Sequence, residues 1–482
     1  MFPETYTFQY KNVAIMWNKA KLNAFDGALF EKLTALVEHY IEQGLLISGE
    51  RLPAERELAK NLNINRSTVV HALDILTERG ILLRRVGSGT FVNDKKWGVQ
   101  ASSTINWRLP AHFYQNKQSL YQQKAEQLRK QNTAICDLAN GDLPTSMIPK
   151  LRLANVSSHE LVMYEKNSDQ LQLGLPALKQ QIVDYMQHSF NMLVDDSEIL
   201  ITSGTQQSLF LITQGLLKPG DAIGIESPSY FYSLPLFQAA GLRLYGIECD
   251  DQGIILNSLQ KTVQQHQVKW LFLNPTFQNP TGLLMSAARK QAVLAFCRSQ
   301  CIGIVEDDAY SGLAFDANLT ITPIKKFDHD NQVIYLGSLS KYIGRNIRVG
   351  WMIAPRKVIE NLAKIRQHID SGLSILPQLL AQQYLQHYYV SHQQLLRQQL
   401  QLKAQQLMSW LDSYFHGAIN YTKPLGGLHL YAQLPITSVQ QETALLNQLL
   451  ACNIIVAPGV DFGDQLGNIR LSYGHFDQNL LL

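Results

Sequence analysis

At 482 residues the chain is too long for one ordinary hydrophobic core, so we expect two or three domains. The composition, 46% hydrophobic and 17% charged, excludes a disordered chain, and no apolar run is long enough to span a bilayer. The net charge is +3, and residues 1–92 carry eleven Lys and Arg against ten Asp and Glu, so an argument for nucleic-acid binding needs a local arrangement of residues.

The first ninety residues predict a small domain of three helices and a β-hairpin. Asn65 is placed to cap the third helix, and Val70, Leu73 and Leu76 form the apolar stripe that this helix would bury. The expected elements are a helix from Ala28 to Gly44, a helix with Pro53 in its first turn that ends by Asn63, a helix from Asn65 to Gly80, and strands 81–86 and 90–92 around a tight turn at 87–89.

This order of elements is the layout of a winged helix-turn-helix. A recognition helix enters the major groove with its N-terminus first, so donors in its first turn face base edges and phosphates. The second helix would meet the DNA backbone, and the hairpin would form a wing over the minor groove or the sugar-phosphate edge. On layout alone, a protein-interaction module with solvated arginines stays open. The predicted DNA-contacting residues are Arg56, Arg66, Ser67, Thr68, His71, Arg84, Arg85, Gly87 and Gly89.

The residue strings of this region resemble the GntR family of winged-helix regulators. The resemblance covers roughly residues 27–92 without a gap, and it implies a DNA-binding domain over residues 1–92. The strings that carry it include RLPAERELA at 51–59, NRSTV at 65–69 and GSGTFV at 87–92.

The segment that follows, residues 93–133, is interpreted as a linker. It is rich in glutamine, and Trp97, Trp107 and Pro110 interrupt it. Residues 118–130 predict a solvated helix without a strong apolar face. A flexible linker of this length spans roughly 30–35 Å, enough for a DNA-binding head to lie over the other subunit of a dimer.

From residue 134 to residue 482, apolar strands alternate with helical stretches. Such near-continuous hydrophobic strands predict a mostly parallel α/β sheet that is covered on both faces, followed by a smaller C-terminal α+β part. Ligands of such folds bind at the carboxyl ends of the strands. The predicted strands are 199–202, 222–225, 270–273, 302–305 and 333–336.

Polar clusters follow four of these strands. Taken singly, SGTQ at 203–206 is an ordinary helix cap and NPTFQNPTG at 274–282 an ordinary loop. The adjacent carboxylates of EDDAY at 306–310 are costly at the end of a buried strand unless a nearby cation compensates their negative charge. The fourth cluster, GSLSK at 337–341, also matches a serine acylase motif, but the companion strings Ser-Asp-Asn and Lys-Thr-Gly are absent from the sequence.

Together these clusters match the needs of a lysine that forms an imine with an aldehyde cofactor. Such a lysine requires an anion site for a phosphate and a carboxylate for a pyridine nitrogen. It also requires donors to a ring oxygen, an aromatic stacking plate and a cation for a substrate carboxylate. The chain supplies each of these groups after a predicted strand.

Residues from about 135 to 475 look like a fold-type I aminotransferase domain, which depends on pyridoxal 5'-phosphate. The order of the motifs agrees with that family throughout. The resemblance implies Lys341 as the Schiff-base lysine, Asp307 as the partner of the pyridine nitrogen, Asn279 and Tyr310 as donors to the phenolic oxygen, Tyr230 as the stacking aromatic, Gly204, Thr205, Ser338 and Arg348 as the phosphate site, and Arg470 as the clamp for a substrate or effector carboxylate.

One segment departs from the family pattern. The family carries Tyr-x-x-x-x-Gly at this place, and the tyrosine reaches the phosphate of the neighbouring subunit. Here Gly174 is preceded by DQLQL at 169–173, and the nearest tyrosine is Tyr164. Either the register shifts or this phosphate contact is lost, which would weaken cofactor binding.

A GntR-like head joined to an aminotransferase-like body resembles the MocR family of regulators over nearly the whole chain. The resemblance implies a homodimer, because fold-type I sites are completed at a subunit interface. Two heads would favour paired half-sites on double-stranded promoter DNA.

Three functions remain open at this point. The cofactor could be an antenna for an amine or amino acid that displaces Lys341, or pyridoxal phosphate could itself be the effector. Alternatively, the chain is a competent aminotransferase with a secondary DNA-binding head. The intact strings of the first ninety residues argue against that alternative.

The cysteines and the N-terminus indicate the cellular compartment in which we expect the protein. Five scattered cysteines form no disulfide framework, and no second ligand pair accompanies Cys297 and Cys301, so we expect no metal site. The N-terminus lacks the basic-then-apolar pattern of a secretory signal. We therefore expect reduced thiols in a bacterial cytoplasm and no membrane partner.

Overall fold

Leucines at helical spacing build the N-terminal unit, residues 1–117. Leu36, Leu58, Leu73 and Leu76, from three helices, are at most 1% exposed and form the centre of its core. The computed structural model describes residues 17–42, 45–46, 49–85, 87–93, 119–131, 134–152, 156–165, 172–370 and 372–478. The elements of this unit are α1 (Lys19–Leu22), α2 (Leu29–Glu42), α3 (Glu55–Leu62), α4 (Arg66–Glu78) and the antiparallel strands β1 (Leu82–Arg85) and β2 (Gly89–Val92).

The three predicted helices and the hairpin are confirmed, with differences at their ends. Pro53 is not in a first helical turn, because α3 begins at Glu55 and the residue before Pro53 donates its backbone N–H to Thr90. Asn65 precedes α4 in an extended conformation but makes no side-chain capping hydrogen bond. Val69 rather than Val70 is buried, because Val69 lies on the same helical face as Leu73 and Leu76.

The sequence analysis did not predict α1. Its anchor is Trp17, which is 2% exposed and meets the ring of Tyr40 edge-on at 5.1 Å between centroids. Asn18 caps the helix by accepting a hydrogen bond from the backbone N–H of Lys21. Two predicted positions, Gly44 and Val86, lie outside the described residues.

The second unit, residues 118–482, is organised around an eight-stranded sheet. All five predicted strands are present, and they are parallel to one another. Two of them, at 199–202 and 333–336, also flank an antiparallel strand at 350–353. The strand order is β4-β11-β10-β9-β8-β5-β6-β7. These strands are β4 (Ile199–Thr202), β5 (Ala222–Ser227), β6 (Arg243–Asp250), β7 (Gly253–Ile254), β8 (Trp270–Leu273), β9 (Gly303–Asp308), β10 (Val333–Ser338) and β11 (Gly350–Ile353).

Helices cover both faces of this sheet. Neighbouring strand residues point to opposite faces, and Leu200 and Ile201 accordingly belong to different buried clusters. The prediction of a mostly parallel sheet buried on both faces is confirmed. The helices before, between and after the strands are α6 (Ser158–Glu165), α7 (Pro176–Phe190), α8 (Thr205–Gly215), α9 (Pro235–Ala239), α10 (Leu256–His266), α11 (Ala287–Ser299), α12 (Arg356–Ile369) and α13 (Ile375–Gln383).

A smaller α+β part follows, as predicted. Its antiparallel sheet has the order β12-β13-β16-β15, and the separate strands β3 and β14 pair in parallel. The elements are β3 (Cys136–Asp137), α14 (Tyr389–Tyr414), β12 (Asn420–Tyr421), β13 (His429–Gln433), α15 (Val439–Ala451), β14 (Ile454–Ile455), β15 (Ala457–Pro458) and β16 (Asn468–Ser472).

A helix within the predicted linker packs on this second unit. α5 (Leu120–Gln131) is anchored by Tyr121, whose hydroxyl donates to the carbonyl of Val456 and accepts from its N–H, both at 2.9 Å. Arg129 forms a two-pronged ion pair with Asp137 at 2.7 and 3.0 Å. This helix is therefore not a solvated linker element, because its polar side chains bind fixed partners on the larger unit.

In the part of the chain that the structure describes, no helix is long and apolar enough to cross a membrane. Within the same residues, no group of three or more His, Cys, Asp or Glu side chains is arranged to hold a metal ion.

Candidate cofactor site and DNA-contacting surface

The carboxyl edge of the large sheet brings the predicted polar clusters together. β4, β8, β9 and β10 all end at this edge, because they run in the same direction. The antiparallel β11 begins there, where Gly350 pairs with Ser338 on one side and with Thr202 on the other. The tertiary fold thus aligns segments that are far apart in the sequence.

Lys341 lies three residues beyond the end of β10. Its ammonium donates to the carbonyl of Gly141 and to the carboxylate of Asp142, both at 2.8 Å. Burial alone would raise the pKa of Asp142, but the charges of Lys341 and Arg345 outweigh this and hold that pKa below its ordinary value. The sequence analysis missed this segment, whose Asn-Gly-Asp string signals only a turn.

Asp307, near the end of β9, has one carboxylate oxygen engaged and one free of protein partners. The hydroxyl of Tyr230 donates to Oδ2, whereas Oδ1 is buried without a hydrogen-bond partner among the described residues. Burial raises the pKa of Asp307 to about 7, with Asp308 adding to the effect. The carboxylate can therefore accept a proton-bearing nitrogen at Oδ1, which fits the pyridine nitrogen of the expected cofactor.

The carboxylates on either side of Asp307 accept hydrogen bonds from neutral donors. Asp308 accepts from the hydroxyls of Ser311 and Tyr335. Glu306 accepts from two backbone N–H groups at 2.7 and 2.9 Å, and burial raises its pKa to about 7. The buried ammonium of Lys290 attracts both carboxylates. The expected cation is thus present, but hydroxyl and backbone donors make the direct contacts.

Four residues of the predicted phosphate site converge at the start of α8. Gly204 precedes this helix with a φ of +81°, and a Cβ at Gly204 would lie 3.6 Å from the guanidinium carbon of Arg348. Thr205 opens the helix, so its N-terminal N–H groups point to the same place. Gly350 pairs with both Ser338 and Thr202, so Ser338 lies close to the start of α8 as well. Within the described part of the chain no carboxylate pairs with Arg348, so this cradle fits a phosphate.

Arg470 lies on β16 and is 7% exposed. It donates to the side-chain oxygen of Asn279 at 3.0 Å and to the carbonyl of Ala139, and its guanidinium covers the ring of Phe462 at 4.9 Å. No described residue accepts from its buried Nε atom. Burial lowers the pKa of Arg470, but an arginine stays charged at any ordinary pH. A buried, incompletely paired guanidinium is suited to a carboxylate ligand.

Tyr310 and His429 meet beside this arginine. The hydroxyl of Tyr310 lies 3.4 Å from Nε2 of His429, and Nδ1 of His429 lies 3.0 Å from the hydroxyl of Ser472. His429 was not among the residues expected at the site. Its only signal in the sequence is a histidine that follows Leu428, two positions after the glycine pair Gly426 and Gly427.

The cofactor and ligand roles expected of these residues stay predictions. Tyr230, the expected stacking aromatic, packs its ring against Phe231 at 4.3 Å between centroids and hydrogen-bonds Asp307. Of the segment before Gly174, residues 166–171 lie outside the described part of the chain. Gly174 itself has a φ of +113° and contacts Ile201 closely, so only glycine fits there.

In the N-terminal unit, two of the four predicted DNA-contacting arginines, Arg66 and Arg84, belong to one ion-pair network. Glu55, at the start of α3, binds Arg66 at 3.0 Å and Arg84 at 3.3 Å. Arg84 also binds Asp74 at 2.8 Å. The Glu55 carboxylate thus links the first turn of α4 to the hairpin, and it fixes the guanidinium groups of Arg66 and Arg84 relative to each other.

The other predicted contact residues share this exposed surface. Ser67 and Arg56 are exposed and Thr68 is half-buried. His71 is exposed, but its ring meets Phe30 of α2 at 4.8 Å, and Arg85 lies over the ring of Phe91 at 4.9 Å. The glycines of the turn are also exposed, and Gly87 and Gly89 have φ values of +75° and +110°, which allows the tight reversal.

Comparison with known families agrees with this division into two units. Residues 133–481 match the family "Aminotransferase class I and II", and residues 29–92 match "Bacterial regulatory proteins, gntR family". The chain therefore belongs to the class I and II aminotransferase family and carries a GntR helix-turn-helix domain at its N-terminal side. This pairing of domains is that of the MocR-type regulators.

Proteins that are similar in sequence include named transcriptional regulators, and similar solved structures include aminotransferases. HTH-type transcriptional regulator YdfD of Bacillus subtilis (strain 168) is 32% identical over 92% of both chains. HTH-type transcriptional regulator NorG of Staphylococcus aureus (strain N315) is 28% identical over 89% of this chain and 96% of its own length. A crystal structure of Pyrococcus horikoshii kynurenine aminotransferase in complex with PMP superposes with a TM-score of 0.66 at 25% identity, over 75% of this chain and 91% of that chain.

Proposed function

We propose that the chain is a DNA-binding transcription regulator whose aminotransferase-like unit binds pyridoxal phosphate through Lys341 and senses an amine, an amino acid or the cofactor itself. The observation that supports this most is the buried Oδ1 atom of Asp307, which has no hydrogen-bond partner among the described residues and lies at the same sheet edge as Lys341 and the Gly204–Arg348 cradle. A buried carboxylate oxygen without a partner is costly, so a resident ligand with a proton-bearing nitrogen accounts for it.

The residues of the site have separable tasks in this proposal. Bound pyridoxal phosphate supplies an aldehyde carbon that reacts reversibly with amines. Lys341 is the protein amine, and Asp142 holds its ammonium in place until a ligand enters. Arg348 and the start of α8 would hold the phosphate, and Arg470 would bind the carboxylate of an amino-acid ligand.

The regulatory part of the proposal rests on the N-terminal unit and on the relatives. Proteins similar over nearly the whole chain are named transcriptional regulators, and the GntR domain presents Arg66 and Arg84 on an exposed surface. We infer a homodimer with two heads on paired half-sites of bacterial promoter DNA, which would act in the cytoplasm. The effector shifts the DNA affinity only if it binds two conformations differently.

Spectroscopic titration tests the cofactor assignment. Adding pyridoxal phosphate to the purified protein should produce the absorption band of lysine-bound cofactor, and Lys341→Ala should abolish it while the protein keeps its secondary structure. Lys357→Ala is the matched control, because it removes another lysine from the same unit at an exposed position. An unchanged band in Lys341→Ala would contradict the assignment.

A catalytic aminotransferase is the second candidate, because Lys341, Asp307 and Arg470 are all present and converge. Turnover with an amino acid and a keto acid at ordinary enzyme rates, about 1 per second or faster, would favour it over the sensor. Spectral change on amino-acid binding without sustained turnover is the result that the sensor proposal expects.

A further inference from the structure

His429 is a buried titratable residue in the candidate cofactor site that the proposed function does not use. It opens β13, and its backbone pairs with Ser472 at the end of β16, the strand that also carries Arg470. The side chain is 1% exposed. Its Cε1 atom faces the backbone of Gly141, where an added Cβ would lie only 3.4 Å away.

Both ring nitrogens of His429 are committed to hydroxyl groups. Nδ1 lies 3.0 Å from the Ser472 hydroxyl, and Nε2 lies 3.4 Å from the Tyr310 hydroxyl. Tyr310 is 4% exposed, and its ring meets the imidazole edge-on at 5.7 Å between centroids. The three side chains therefore form a buried chain of hydrogen bonds that ends at Tyr310.

The charged groups around His429 keep its ring neutral. Burial lowers the pKa of His429 well below its ordinary value, and the positive charges of Arg470 and Lys341 lower it further. A neutral imidazole has one N–H donor and one acceptor nitrogen. The tautomer therefore decides whether the Tyr310 proton points toward His429 or away from it.

The hydroxyl of Ser472 selects between the two tautomers. Ser472 is 1% exposed, and among the described residues its side chain has no hydrogen-bond partner except Nδ1 of His429. If Nδ1 carried the proton, the Ser472 proton would be buried without an acceptor, which is costly. Ser472 therefore donates to Nδ1, and Nε2 carries the imidazole proton and donates to the Tyr310 oxygen.

We propose that His429 is a positioning residue that, by donating to the Tyr310 oxygen, turns the Tyr310 O–H group into the cofactor pocket. The inference rests on the proposed function and on the role that the family resemblance implies for Tyr310, a donor to the phenolic oxygen of pyridoxal phosphate. Without His429, the Tyr310 hydroxyl could rotate and its proton would no longer be directed. The chain Ser472–His429–Tyr310 thus sets how strongly the phenolate form of the cofactor is stabilised.

The pH midpoint of the bound-cofactor absorption band measures this effect. His429→Phe should raise the midpoint by about one pH unit, the equivalent of one ordinary hydrogen bond to the phenolate. Tyr310→Phe should raise it by a similar amount, and the double variant should show no further increase, since both changes remove the same interaction. His429→Gln, which can place a donor near the position of Nε2, should restore most of the wild-type midpoint.

The outcomes distinguish this inference from the proposed function. A wild-type midpoint in His429→Phe together with a raised midpoint in Tyr310→Phe, or additive shifts in the double variant, would overturn the positioning role. No cofactor band in the wild-type protein would overturn the proposed function and the inference with it. If His429→Phe does not fold, Ser472→Ala tests the chain from its other end and should raise the midpoint, whereas an unchanged midpoint overturns the inference.

Discussion

At the scale of single residues, Asp307 shows how a ligand site is built at the expense of stability. The carboxylate is 3% exposed, and one of its oxygens has no partner in the described structure. Its pKa is raised by burial to about 7 in the folded chain, against 3.8 for an exposed aspartate. Between about pH 4 and pH 7 the unfolded chain has therefore released this proton while the folded chain still holds it. The unfolding free energy decreases over this range as the pH rises.

Replacing Asp307 with Asn should consequently stabilise the cofactor-free protein, and more so at pH 8 than at pH 4. The upper bound at pH 8 is about 4 kcal/mol of unfolding free energy, from a pKa change of about 3 at 1.36 kcal/mol each. Urea unfolding at both pH values measures the difference from wild type.

Asp251→Asn is the control for this experiment, because Asp251 is exposed. It should change the unfolding free energy little at either pH. A gain in Asp307→Asn that is equal at pH 4 and pH 8 would contradict the argument, since a cost of burying charge must grow as the carboxylate ionises.

At the scale of elements, the start of α4 and the end of β1 form one candidate DNA-contacting surface. Glu55 holds Arg66 and Arg84 together, although they are 18 positions apart in the chain. An acidic side chain between two predicted phosphate- or base-contacting arginines lowers the net positive charge of the surface. Specificity would thus depend on a few fixed guanidinium groups rather than on a broadly basic face.

Arg66→Ala should weaken binding to a duplex selected by the wild-type protein from a random library. The expected loss is about 10- to 100-fold, the range for one base- or phosphate-contacting arginine. Arg79→Ala is the matched control, because Arg79 lies at the opposite end of the same helix, is similarly exposed (52% against 56%) and is also ion-paired. Fluorescence anisotropy at fixed salt measures both, and equal losses would refute the assignment of the recognition helix.

The packing of α5 gives a second prediction at this scale. Tyr121→Phe removes both hydrogen bonds to Val456 and should lower the unfolding free energy of the larger unit by roughly 1–3 kcal/mol, because the backbone groups lose a buried partner. Tyr388→Phe, at a position 37% exposed, should change it by less than about 0.5 kcal/mol. Equal unfolding midpoints in urea for the Tyr121 variant and wild type would mean that α5 contributes nothing to the unit.

At the scale of the whole molecule, a regulator must couple its two units. If pyridoxal phosphate changes the affinity for DNA by some factor, DNA must change the affinity for pyridoxal phosphate by the same factor. We expect a factor of about 5 or more, in line with common coupling free energies. The library-selected duplex and the cofactor absorption band allow both affinities to be measured independently.

Lys341→Ala should remove this coupling while leaving the DNA affinity of the cofactor-free protein unchanged, because Lys341 belongs to the larger unit and Arg66 to the smaller one. Equal DNA affinity of the wild-type protein with and without pyridoxal phosphate would argue against the cofactor as effector. An amino acid added together with the cofactor then becomes the next ligand to test.

The amino-acid sequence by itself determined the order of domains and five of the eight strands of the large sheet. Its resemblance to a fold-type I aminotransferase also singled out Lys341, Asp307 and Arg470 as candidate site residues. These features have local causes, since apolar strands and the polar clusters directly after them are contiguous in the chain. The helix ends were less predictable. The start of α3 depends on how the segment around Pro53 pairs with β2, which is a tertiary contact.

Only the tertiary structure decided which distant groups meet. The partners in four such contacts are separated by 11 to 335 positions in sequence. These contacts are Glu55 with Arg66, Tyr310 with His429, Asp142 with Lys341, and Tyr121 of α5 with Val456. No local pattern predicts such pairs, because each partner is an ordinary turn, cap or strand residue in its own segment. Strand register and helix packing bring these groups within hydrogen-bonding distance. Burial then lowers the pKa of His429 and raises the pKa of Tyr310.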